Sequence, residues 1–152
     1  MSLRRPATGA GALPVWQRRA VYGLGAAVWL TGAVWLVFKY LVRSVDAFGF
    51  ENPHPQQALW MIAHALASLL GLWLFGLLWQ QHIARGWTAR LRRPSGGTLF
   101  VLIAWLALSG CALYYIGDDG LRQWTSLGHW TVGLGGLVVF LLHDRRKRDN
   151  GA

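Results

Sequence analysis

Four long apolar stretches dictate most of what this 152-residue chain can become. They run from about Ala20 to Val42, Ala58 to Ile83, Thr98 to Ile116 and Leu121 to Leu142. An α-helix rises about 1.5 Å per residue, so each stretch is long enough to cross a hydrocarbon core of about 30 Å. None alternates apolar and polar residues, and all exceed the length of a membrane strand. The first is too long for a signal-peptide core and lacks a small-residue cleavage site before a soluble domain, so it is expected to be retained. The expected fold is all-α, an integral membrane four-helix bundle. It occupies residues 19–146, with a flexible basic tail at 1–18 and a second short tail at 147–152.

Charge sets the direction of the spans. The net charge of +9 would ordinarily suggest nucleic acid, but only 14% of residues are charged, against about 25% in soluble domains. The bases cluster between the apolar runs. Arg4, Arg5, Arg18 and Arg19 precede the first span; Arg85, Arg90, Arg92 and Arg93 separate the second from the third. Arg145, Arg146, Lys147 and Arg148 follow the fourth, whereas Asp46, Glu51, Asp118 and Asp119 lie in the other two connections. Positive charge stays on the cytoplasmic side. Both termini and the middle loop are therefore expected on the cytoplasmic side. The lipid bilayer is the expected partner and nucleic acid is not. Spans two and four then run in the same direction.

The histidines carry the chemistry. His54 falls in a connection, while His64 and His82 belong to span two and His129 and His143 to span four. An ionisable group inside a membrane is costly and marks function by default. Counting inward from the span starts, His64 is 6 residues in and His129 is 8; His82 is 24 in and His143 is 22. The histidines therefore pair at two depths. The 18 residues from His64 to His82 make five turns of an ideal α-helix, and the 14 from His129 to His143 fall about 40° short of four turns. Each pair should thus share one face of its helix. Neutral imidazole is a common axial ligand of haem iron, and a second one closes the iron to substrate and favours electron transfer. The expected metal ligands are His64 with His129 and His82 with His143, holding one or two non-covalent haem b groups. Gly71, Gly133 and Gly136, with Ser68, lie on the histidine faces, where glycine permits close approach of a porphyrin edge. Small residues serve ordinary packing between membrane helices equally well. Ser68, Thr125 and Ser126 are candidates to hydrogen-bond an imidazole.

Other signals exclude more than they assign. Cys111 is the single cysteine, so neither a disulfide framework nor a CxxCH haem attachment is present; it is expected to be a small buried residue. No hydrolase triad, HExxH or phosphate loop occurs, and GLGG at 133–136 has no preceding strand to make it a dinucleotide fingerprint. No internal repeat is evident.

The layout of four spans with His64, His82, His129 and His143 near both faces resembles the small bacterial four-helix b-type cytochromes. These include cytochrome b561-like proteins and the cytochrome b subunits of hydrogenases and formate dehydrogenases. RLRRPSGGTLF, LALSGCALYYIGDD and TSLGHW are similar to segments of such proteins, and the resemblance covers residues 20–146. The chain departs from many relatives in having no histidine in span one and an 18-residue spacing in span two. The resemblance implies an electron-transfer subunit working with a redox partner protein, a larger subunit or a quinone. Two other classes fit the same spans: a haem-free anchor or assembly subunit, and a small metal or proton transporter. Transporters more often carry carboxylates inside their spans, and here there are none.

Overall fold

The computed structural model describes residues 13–90 and 93–149. Within them the chain is helical apart from one small hairpin. Helix α1 covers Val15–Tyr40, strands β1 (Arg43–Val45) and β2 (Glu51–Pro53) pair, and α2 covers Gln56–Leu78. A π-helical stretch, Trp79–Ala84, leads into the short α3 (Arg85–Thr88); α4 spans Arg93–Ala112 and α5 spans Asp119–Asp149. Four of these helices are long and apolar enough to cross a membrane.

The elements begin and end for local reasons. Asp118 caps α5, its Oδ1 accepting the Leu121 N–H at 2.7 Å, which satisfies one of the donors that every helix start leaves open. Pro94 sits in the first turn of α4, where the missing N–H costs nothing. The start of α1 at Val15 places Trp16, Gln17 and Arg18 in helix rather than in a flexible tail. Residues 1–12 of that expected tail lie outside the described residues. At the other end α5 continues through Asp149, so the expected tail from 147 is helical through that point.

The connection between α1 and α2 is folded. β1 and β2 pair antiparallel, with Ser44 opposite Asn52. Gly49 turns the tip at φ +85°, a conformation that glycine adopts without a Cβ penalty. Asp46 organises the rest: Oδ1 accepts the Phe48 and Phe50 N–H groups at 2.9 Å each, and Oδ2 accepts Asn52 Nδ2 at 3.0 Å. The Phe50 N–H contact, followed by those of Phe48, Asn52 and Gly49, holds the Asp46 carboxyl below the ordinary carboxylate range. A depressed pKa in the folded form means that this support is complete at neutral pH and fades as the pH falls through the folded value. Asp46→Ala is expected to speed amide exchange at Phe48 and Phe50 at neutral pH and leave α2 and α5 unchanged. Hydrogen-exchange NMR reads both.

Packing follows the chain as two helical hairpins, α1 along α2 and α4 along α5. Tyr22 against Phe140, at 5.7 Å between ring centroids, joins α1 to α5. Phe100 of α4 meets Phe75 of α2 and the neighbouring Trp79, at 6.1 and 5.9 Å. The order around the bundle is therefore α1, α2, α4, α5, and α2 and α5 face each other across its centre. Few side chains are buried: Ala67, Leu74 and Leu78 are the buried apolar residues among those described. Leu69, Trp73 and Leu108 are 64%, 66% and 72% exposed. A water-soluble bundle of this length would hide such residues, whereas a bilayer accepts them.

Candidate functional site

His64 and His129 meet at the centre of the bundle. They are half-buried on the facing helices α2 and α5, with ring centroids 6.4 Å apart and ring planes at 89°. Each ring is gripped by the partner helix of its own hairpin. His64 Nδ1 lies 3.0 Å from the Val28 carbonyl and 3.3 Å from Thr31 Oγ1, both on α1. His129 Nδ1 lies 2.9 Å from Ser109 Oγ on α4.

The Val28 contact assigns the protonation of His64, and the back-bond of Ser109 favours the same tautomer in His129. A carbonyl only accepts, so His64 Nδ1 must carry the proton and donate it to Val28 O. Ser109 Oγ–H donates to the Trp105 carbonyl at 2.6 Å, so its oxygen is left to accept the proton of His129 Nδ1. Thr31 is arranged in the same way, donating to the Ala27 carbonyl at 2.6 Å. In both histidines Nε2 is then the bare nitrogen, which makes no hydrogen bond among the described residues. Imidazole with Nδ1–H donated and the Nε2 lone pair open is the form in which histidine binds a metal.

Glycine brings the gripping helices close. A Cβ on Gly32 would stand 3.0 Å from His64 Cε1 and 3.1 Å from Nδ1. On Gly110 it would stand 3.2 Å from His129 Cε1. The dipeptides Thr31-Gly32 and Ser109-Gly110 thus present the same groups to the two rings, a hydroxyl near Nδ1 and a hydrogen at the ring edge. The two hairpins repeat one arrangement, although the chain shows no evident repeat by composition.

The separation can be tested against a metal. Two imidazoles bound through Nε2 on opposite sides of one ion, each at a metal–nitrogen distance of about 2 Å, would have ring centroids about 6.3 Å apart. The observed 6.4 Å fits this. Among the described residues no group of three or more His, Cys, Asp or Glu could hold a bare ion. Two nitrogens suffice only where the remaining ligands arrive with the metal, as a porphyrin's four nitrogens do.

The second pair is built differently. His143 Nδ1 lies 2.9 Å from Ser95 Oγ on α4. Ser95 precedes Ser109 by 14 residues and His143 follows His129 by 14, so the antiparallel α4 and α5 repeat their hydroxyl–imidazole contact four turns along. His82 stands in the π-helical stretch, a distortion that often marks functional sites. Its wider turn breaks the count that made 18 residues equal to five turns, so the shared face expected of His64 and His82 does not follow from spacing. Level with His143 on α1 is Gln17, 14 residues before Thr31. It is 4% exposed, and its Oε1 has no partner among the described residues.

The remaining expected residues divide. A Cβ on Gly71 would touch Val28 at 3.8 Å and one on Gly133 would touch Leu106 at 3.7 Å, which are ordinary packing distances to the neighbouring helix. A Cβ on Gly136 would meet nothing within 4 Å. Ser68 is half-buried on α2, but the hydroxyls on the two central rings are those of Thr31 and Ser109. His54 accepts the Gln56 N–H at 3.2 Å and stacks against Phe38, a structural role at the start of α2. Cys111 is exposed, because Ser109 and Gly110 take the inward side of α4.

No family profile, curated protein or solved structure matches the chain. The paired imidazoles are therefore the main guide to function.

Proposed function

We propose that this chain is a multi-pass membrane cytochrome b that carries electrons across the bilayer. Haem b would lie between His64 and His129, and a second would be bound by His82 and His143. The observation that carries this reading is the central pair, with centroids 6.4 Å apart and both Nδ1 atoms committed to neighbouring helices. Bound there, haem supplies one-electron exchange between ferrous and ferric iron. The chain's residues do the rest. Two imidazoles leave no open position for substrate or oxygen. Gly32 and Gly110 let α1 and α4 close on the ring edges, and the exposed apolar faces of the helices meet lipid.

The distribution of bases supports an orientation with both termini cytoplasmic and the β-hairpin outside, in a bacterial inner membrane. The central pair then lies toward the outer side. His143 is about 21 Å farther in, at 1.5 Å per residue over 14 residues. A quinol or a cytoplasmic reductant would meet the inner end and a redox protein the outer, with a larger subunit supplying the soluble mass.

A pyridine haemochrome assay on the purified protein tests the reading. Haem at one or two per chain supports it, and a haem-free wild type overturns it in favour of an anchor or assembly role. His143→Ala is expected to remove the inner haem and leave the outer, so the ratio falls by about half.

A further inference from the structure

The two central imidazoles are held by unequal means. The Nδ1–H of His64 has two acceptors, the Val28 carbonyl at 3.0 Å and Thr31 Oγ1 at 3.3 Å. That of His129 has Ser109 Oγ alone among the described residues, at 2.9 Å. Ser109 in turn is locked. Its proton is spent on the Trp105 carbonyl at 2.6 Å, it is 5% exposed, and Gly110 beside it leaves room for the ring at 3.2 Å. A backbone carbonyl cannot be removed by mutation, whereas a serine hydroxyl can.

We infer that Ser109 is the positioning residue of this site, setting the tautomer, orientation and basicity of His129, whereas Thr31 duplicates what the Val28 carbonyl already does for His64. The inference rests on the proposal that the pair ligates haem only for its effect on potential; the tautomer assignment stands without it. A hydrogen bond accepted from Nδ1–H raises the basicity of Nε2. A more basic ligand favours the ferric over the ferrous state and lowers the reduction potential. Loss of Ser109 Oγ therefore raises the potential, and loss of Thr31 Oγ1 moves it little. Neither change should unfold the helices, because the hydroxyl's back-bond to the carbonyl four residues earlier does not stabilise a helix.

The test uses the purified full chain in lipid nanodiscs, labelled with ¹⁵N-histidine and reduced with dithionite so that any six-coordinate haem is diamagnetic. The wild type is expected to show protected Nδ1–H signals for His64 and His129. Ser109→Ala should speed exchange of the His129 signal about tenfold, the equivalent of one ordinary hydrogen bond, and shift the midpoint potential upward. Ser109→Thr should restore both. Thr31→Val should leave the His64 signal protected and the potential near that of the wild type. The inference is overturned if Ser109→Ala keeps His129 protected, or if Thr31→Val exposes His64 as fully as Ser109→Ala exposes His129. A wild type without haem but with both protected signals would refute the cytochrome reading and leave the assignment of Ser109 intact.

Discussion

His129→Ala is expected to abolish haem binding between α2 and α5 while the four helices remain folded. Removing only a supporting hydrogen bond from a metal-bound histidine costs about 10–100-fold in affinity. Deleting the ligand itself should cost more, leaving His64 as a lone imidazole with no second histidine within reach of the same iron. The fold should survive, because His129 is only half-buried. Its removal leaves just Ser109 Oγ without the imidazole, and that hydroxyl keeps its bond to Trp105 O. His64→Ala should behave in the same way. The check is the absorption spectrum and haem content beside a circular dichroism spectrum. Retained helix with lost outer haem is the expected result. Unchanged haem content in both variants would remove these residues from ligation.

Gly32→Leu is the second large effect, and it acts without touching a ligand. Even an alanine Cβ would press to 3.0 Å on His64 Cε1, so the ring would have to give by some tenths of an ångström. Overpacking of this kind costs about 1–3 kcal/mol, and a branched side chain adds atoms where the imidazole now sits. His64 would leave the position that sets the 6.4 Å separation. Outer haem should fall about as far as in His64→Ala for leucine, and by about ten- to a hundredfold in affinity for alanine. Gly110→Ala should be milder, because the corresponding approach is 3.2 Å. Gly135→Ala serves as control, since that glycine is exposed and its Cβ would meet nothing within 4 Å. Haem titration of the four variants in one detergent gives the ranking.

The contrast between Gly32 and Gly136 shows which parts of the site can be read from sequence. Span number and helical class follow from apolar run length, a property of each segment by itself. The level pairing of His64 with His129 also follows, because α-helical rise is constant and both helices are α-helical around those residues. Facing is less secure. The count from His64 to His82 assumes one helix type throughout, and the π-helical Trp79–Ala84 breaks that assumption. The supporting residues were harder still. On the histidine helices, Gly71 and Gly133 lie beside Val28 and Leu106. The groups that fix the rings come from the adjacent helices, α1 and α4, which contain no histidine. One signal was present: a hydroxyl residue followed by glycine occurs in the second half of both, at Thr31-Gly32 and Ser109-Gly110. The β-hairpin is a different case, since its order comes from one carboxylate, Asp46, reaching three donors.

The most direct test of paired-imidazole ligation is low-temperature electron paramagnetic resonance of the oxidised, haem-loaded protein. Two imidazoles ligating one ferric iron with planes near 89° would donate equally to the two iron orbitals they overlap and leave those orbitals close in energy. The predicted result is a low-spin ferric signal of large anisotropy that disappears in His64→Ala and in His129→Ala. A high-spin ferric signal in the wild type, or a signal of that large anisotropy that survives both substitutions, would contradict ligation by this pair.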